Sequence, residues 1–359
     1  MFPKKNSIKN INRQRPDNKK KGYLYLNRNE RTVDLTLEIK KKLQKELIKV
    51  NLGTYPEISK LYNNLSKLNS ISKDNLFVTE GVTGGIKLIL DSMNKTKKNV
   101  IFPYPTFSLY EIFIQLNEFK SIKILYSKNY ILNINKLLSS INKSTAAVFL
   151  PNPNVPIEGY LDQKIIIKIA NKCLANKCVL VIDEVYFHFG SKSASNLINK
   201  FKNIIILRSL SKGFGLPGLR VGYMISHRSN IEYLSKNRIG YETNSLSIAA
   251  SNIFLNDTKF LKSYTKQVKQ SLILIKEKMQ KINVKTVGGS YGNYIFIDFK
   301  DIKKCKKIVN ELYKEKIVVR DNWPKPFETG ILISGTSIKN TKFFIKTLYK
   351  IINHKNYVF

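Results

Sequence analysis

The sequence predicts an α/β protein, with a large lobe built on a mostly parallel sheet and a smaller α+β lobe at the C-terminal end. Three observations carry that prediction. Between Asn75 and about Ser226, short β-branched runs alternate with amphipathic segments. The runs are continuously apolar, as strands covered on both faces are, and their alternation with helices favours parallel connections. Finally, 359 residues exceed what one small core organises, so two unequal lobes are expected.

The chain opens on a polar, basic arm (1–30) whose low-complexity composition predicts local disorder. "YLYLNRNERTVDL" reads as a short strand and an extended segment, and "DLTLEIKKKLQKELIKV" has apolar residues at helical spacing. The large lobe is assigned to 31–255. Its strands are "LFVT", "NVIF", "SIKILY", "AAVFL", "CVLVID", "NIIIL" and "VGYMIS", interleaved with helices such as "TGGIKLILDSM" and "QKIIIKIANKCLAN". A long helix, "KFLKSYTKQVKQSLILIKEKMQKI", leads into the small lobe (256–359). There "YIFIDF", "IVVR" and "ILIS" alternate with "KKCKKIVNELYKEK" and "TKFFIKTLYKIIN".

The formal net charge of +37 raises nucleic-acid binding. Yet only nine of the 62 basic residues are arginine, and lysines are spread over the whole length, so specific nucleic-acid recognition is not expected. No apolar run is long enough to cross a membrane, and the N-terminus lacks the apolar core of a secretory signal. Three scattered cysteines, Cys173, Cys178 and Cys305, fit a reducing compartment, and the expected location is cytoplasmic. They have no companion ligands, so no metal site is expected.

Ligands of open α/β sheets bind beyond the carboxyl ends of the strands, so the residues just after each strand matter most. "TEGVTGGI" is a glycine-rich turn entering a helix, whose amides at Gly81, Val82 and Thr83 suit an anion. "PTFSLY" places Phe107 at a strand exit, and "PNPNVP" is a rigid turn carrying Asn152 and Asn154. "DEVY" puts Asp183 at the end of a buried strand, where a carboxylate needs a cationic partner. "SLSKGFGLPGLR" (209–220) sets Lys212 between two serines and a glycine-rich turn, with Arg220 eight residues later. One ligand satisfies the set. Its phosphate takes the helix start, Ser209, Ser211 and Arg220; its protonated ring nitrogen takes Asp183; its flat ring stacks on Phe107. Its ring oxygen takes Asn154 and Tyr186, and its aldehyde takes the amine of Lys212. That ligand is pyridoxal 5′-phosphate.

With these motifs in order, the chain resembles the fold-type I, pyridoxal-phosphate-dependent class I/II aminotransferases over nearly its full length. Within them it is most similar to the histidinol-phosphate aminotransferase subfamily. "LNRNE", "TYPE", "GVTGGI", "PTFSLY", "PNPNVP", "DEVY", "SLSKGFGLPGLRVGY", "GNYIF" and "VVRDN" carry the likeness, the group around Lys212 most specifically. The resemblance implies that Lys212, Asp183 and Tyr186 are catalytic. It implies that Tyr55 reaches the cofactor phosphate from a partner subunit in a homodimer, and that Asn29, Glu30 and Arg320 face the substrate. The implied activity moves an amino group between an amino acid and a phosphorylated or anionic amine or carbonyl compound. A decarboxylase of a phosphorylated amino acid and a non-catalytic cofactor-binding protein are the alternatives.

Two departures stand out. The family's Asn-Pro-Thr-Gly turn is "NVPIEG" here, with Val155 directly before the proline and an additional residue before Gly159. Near the C-terminus, Ile331 opens the strand "ILISGTS" where the family has an arginine that grips the substrate's anionic group. Arg320 remains.

Overall fold

The computed structural model describes residues 6–9, 11 and 19–353, so most of the basic arm lies outside the described residues. Twelve strands are present among them: β1 (Leu24–Tyr25), β2 (Leu76–Glu80), β3 (Asn99–Tyr104), β4 (Lys120–Leu125), β5 (Thr145–Pro151), β6 (Val179–Asp183), β7 (Ile204–Ser209), β8 (Val221–Ser226), β9 (Lys285–Gly288), β10 (Tyr294–Asp298), β11 (Ile317–Val318) and β12 (Gly330–Ser334). Seven form one sheet in the order β2-β8-β7-β6-β5-β3-β4. β8 runs antiparallel to both neighbours, and the other pairs are parallel. The exception has a short cause. Only residues 210–220 join β7 to β8, too few for the helical crossover that a parallel pair requires.

Alternate residues of the central strands feed two different cores. Ile182 and Ile206 pack on one face with Leu61, Ile101 and Val148, while Val181 and Leu207 pack on the other with Phe77, Phe102 and Phe149. Side chains of a strand alternate between faces, so a strand covered twice must be apolar throughout. This is why the runs show no polar alternation.

The small lobe is an antiparallel sheet, β12-β10-β9, packed with helices Thr258–Gln280, Ile302–Lys314 and Ile338–Asn353 around Phe296, Phe327, Phe344 and Leu348. Asp257 starts the first of these helices, accepting the Phe260 N–H at 2.9 Å. β1, which the sequence groups with the basic arm, pairs in parallel with β11, and Leu26 is buried in the small-lobe core. Thus the start of the chain and its last third build one lobe together. No helix among the described residues is long and apolar enough to cross a membrane. All three cysteines are buried and free, and no metal-binding cluster of His, Cys, Asp or Glu occurs among the described residues.

Candidate active site

The carboxyl ends of β5, β6 and β7 lie side by side in the middle of the sheet, beneath a cavity of about 280 Å³. Strand β6 ends at Asp183 and β7 at Ser209, so strand termination itself delivers both side chains to the cavity. Asp183 is only 5% exposed. Its Oδ2 accepts the Tyr110 hydroxyl at 2.6 Å, and its Oδ1 accepts the Val185 N–H at 3.0 Å. Burial drives its pKa up to about 6, with those two hydrogen bonds opposing the rise.

Lys212 follows in the turn after β7. Its ammonium donates to the backbone carbonyls of Asn29 at 2.8 Å and Arg28 at 3.1 Å. Loss of hydration pulls its pKa down to about 8, against the attraction of Glu30 and Asp183. Such a lysine holds a far larger neutral, nucleophilic fraction at pH 7 than an exposed one.

One end of the cavity is built to take an anion. Val82 and Thr83 line it from the first turn of helix Gly81–Asp91, whose leading N–H groups have no partner within the helix. Gly81 has φ +65°, and a Cβ there would sit 2.8 Å from Nη2 of Arg220. Glycine therefore lets the guanidinium lie against the helix start. Arg220 donates at 3.4 Å to the carbonyls of Pro217 and Glu80, and no carboxylate pairs with it among the described residues. Ser209 Oγ accepts the Ser211 N–H at 2.8 Å, which leaves its own proton free for the cavity that both serines line.

Arg320 lines the same cavity from the small lobe. Its backbone pairs with Leu332 of β12, and its guanidinium lies 4.3 Å from the Trp323 ring centroid. No carboxylate pairs with it among the described residues, and burial lowers its pKa. In the same cavity, the Tyr186 hydroxyl accepts from Asn29 Nδ2 at 2.9 Å and keeps its own proton for donation. Phe107, Asn29 and Glu30 also line the cavity; Glu30 pairs with Lys19 at 2.6 Å. Beneath β6 and β7, Glu184 and Arg208 form a buried ion pair at 2.8 Å, with Ser193 also bonded to both.

The structure corrects the sequence at Asn154. Its carboxamide is spent on Thr106 Oγ1 at 2.6 Å, the Pro105 carbonyl at 2.9 Å and the Tyr126 hydroxyl at 2.8 Å, so it does not serve the cavity. Val155 contributes to the wall instead. Ile331 is fully buried in the small-lobe core opposite Ile297, and is not part of the cavity wall. Tyr55 is exposed, stacked on Tyr241 at 4.2 Å, and outside its own chain's cavity. Sequence reasoning missed Arg28 and Val185 in the wall and Tyr110 behind Asp183. The position of Tyr110 three residues after Phe107, in the same short segment, was the available signal.

The aminotransferase class I and II family matches residues 21–331. This chain belongs to that family. It is 30% identical over 329 residues to a histidinol-phosphate aminotransferase of Thermoanaerobacter pseudethanolicus, covering 90% of this chain and 92% of the relative. The solved histidinol-phosphate aminotransferase of Clostridium acetobutylicum superposes with a TM-score of 0.82 at 20% identity, covering 92% of this chain and 99% of the other. That of Sinorhizobium meliloti, solved with pyridoxal 5′-phosphate, gives 0.82 at 19% identity and covers 92% and 90%. The protein is an aminotransferase of the fold-type I class, and its cofactor is pyridoxal 5′-phosphate. The residues fit that group. A guanidinium with no carboxylate partner among the described residues lies at a helix start, a buried carboxylate retains free lone pairs, and an amine of lowered pKa lies in the same cavity.

Proposed function

We propose that this aminotransferase moves an amino group between an amino acid and a phosphorylated or otherwise anionic amine, with histidinol phosphate, the compound in its relatives' names, as the first candidate. The observation that carries the substrate class is Arg320, a half-buried guanidinium with no carboxylate partner among the described residues, lining the same cavity as Lys212 and Asp183. A partly desolvated cation without a counter-charge carries a cost, and an anionic substrate group relieves it.

When bound, pyridoxal 5′-phosphate supplies an electron sink for the charge left on the substrate's α-carbon. The chain's own groups do the rest. Lys212 Nζ holds the cofactor covalently at rest and then carries the proton from the α-carbon. Asp183 holds a proton on the ring nitrogen. Tyr186 donates to the ring oxygen, a role that Asn154, engaged elsewhere, does not share. Gly81, Val82, Thr83, Ser209, Ser211 and Arg220 bind the phosphate, Phe107 stacks on the ring, and Asn29 and Glu30 border the substrate.

Two finer readings accompany this one. The working unit is a homodimer, in which Tyr55 of each subunit serves the other's phosphate. Exposed Leu37, Ile48, Leu52, Tyr55, Ile239 and Tyr241 support it, the last stacked on Tyr55, since apolar side chains concentrated on two neighbouring segments seek a cover. The location is cytoplasmic, which suits three free cysteines. Mixing the loaded protein with histidinol phosphate, other amino phosphates and glutamate, while following the cofactor's absorbance and released CO₂, tests the reading. Amine-dependent loss of the visible band without CO₂ supports it; stoichiometric CO₂ would favour the decarboxylase, and no response to any amine the non-catalytic alternative.

A further inference from the structure

We propose that Tyr110 is a positioning residue for catalysis: its hydroxyl holds the Asp183 carboxylate ionised and aimed at the cofactor's ring nitrogen. The inference rests on the reading that Asp183 meets that nitrogen. Tyr110 sits in helix Leu109–Leu116, is fully buried, and donates to Asp183 Oδ2 at 2.6 Å. The tyrosine is itself clamped, its ring 5.4 Å from Phe149 of the neighbouring strand and 5.8 Å from Phe107, edge to face. Phe107 lines the cavity from just before that helix, and its carbonyl accepts the Tyr110 N–H at 3.1 Å, so one short segment carries both a wall of the ring site and the support of its acid.

The need for that support comes from the surroundings of Asp183. Lys212 attracts it electrostatically from the turn after β7, but forms its hydrogen bonds with Arg28 and Asn29 instead. Arg208 is taken by Glu184, whose own charge disfavours the ionised Asp183. Tyr186 is turned to Asn29. The carboxylate is thus left with one backbone N–H on Oδ1 and one hydroxyl on Oδ2. Hydrogen bonds to the charged form favour it, and losing one in a desolvated site raises the pKa. Fixing Oδ2 also fixes the carboxylate plane, and each oxygen keeps a lone pair for a further donor.

The test compares the native protein, Tyr110→Phe, Asp183→Asn and the double variant. In the apoprotein, Asp183 makes stability fall as pH rises through its folded pKa, because the folded state holds the proton longer than the unfolded one. That limb is identified by its absence in Asp183→Asn, and Tyr110→Phe extends it upward by about one pH unit. In the loaded protein, Tyr110→Phe slows half-transamination at pH 7 roughly tenfold and moves the acid limb of the rate profile the same way. The double variant is no slower than Asp183→Asn alone, as expected for two groups acting through one another. An unmoved limb beside a crippled Asp183→Asn overturns the role of Tyr110 and leaves that of Asp183 standing. A near-native rate in Asp183→Asn overturns the reading of Asp183 itself. Should Tyr110→Phe not fold, 3-fluorotyrosine placed at 110 keeps the ring and strengthens the donor. The limb then moves down, and a limb that stays put refutes the proposal.

Discussion

The floor of the cavity and its small-lobe wall are built on different logic. On the floor, polar side chains sit at strand ends or helix starts, and nearly every one is held by a second group: Asp183 by Tyr110, Ser209 by Ser211, Lys212 by two carbonyls. Beneath them the Glu184–Arg208 pair locks adjacent strands. The small-lobe wall offers Arg320 steadied by a tryptophan ring, while its neighbouring strand turns Ile331 into the core. On the proposed reading, the chemistry common to the family rests on this fixed floor, whereas Arg320, the proposed substrate ligand, stands just beyond β11, bridged to Leu332.

The sharpest way to break this contrast is at Lys212. Lys212→Ala is expected to lower half-transamination by about 10³-fold or more and to abolish the visible band after dialysis. Retention of a band reducible onto the protein by borohydride would move the anchor to another lysine. Next comes the foundation of the floor. Arg208→Leu, which leaves Glu184 buried without its partner, should cost about 3–5 kcal/mol in urea unfolding. A loss under 1 kcal/mol would mean that the strand ends are held by packing alone.

The wall is probed by Arg320→Ala, expected to reduce kcat/KM for an anionic amine by about 10–100-fold, with little change for a neutral amine of similar size. Equal losses for both would make Arg320 a structural element of the small lobe. The smallest effect is a pH dependence of the apoprotein. Lys212 has a folded pKa of about 8 against an ordinary 10.5. Between those values the unfolded chain binds the extra proton, so this group's contribution to stability rises with pH across that window. Lys212→Met should remove about 1–2 kcal/mol of that rise, measured as the difference between urea midpoints at pH 7.5 and 9.5. An identical slope in the variant would show that the ammonium is hydrated.

Much of the floor was legible because its positions obey local rules. A strand ending in Asp183, a glycine turn entering a helix and a serine–lysine turn each announce themselves within a few residues. What escaped depends on long-range direction. β8 has the same apolar composition as its parallel neighbours, and only the short link before it betrays its reversal. Asn154 differs from a cofactor ligand solely in where its amide points, which Thr106 and Tyr126 decide. Tyr110 lies in an apolar helix and reads as core until Asp183 is placed behind it. The pairing of β1 with β11 cannot be read from two apolar residues.

That last pairing has a bearing on how the protein is made. Residues near position 24 must find partners near position 317, and the Leu26 carbonyl also accepts bonds from Ser334. On the ribosome, this segment therefore has to wait until the residues near 317 have been made before its partners exist. The α/β lobe can condense meanwhile, since all its strands are translated by residue 226. Closure of the other lobe is then the late, loop-limited event of high contact order. The strand that waits leads straight into the carbonyls of Arg28 and Asn29, on which the amine of Lys212 rests, so the reactive lysine gains its final surroundings only after the distant partner strand has been made.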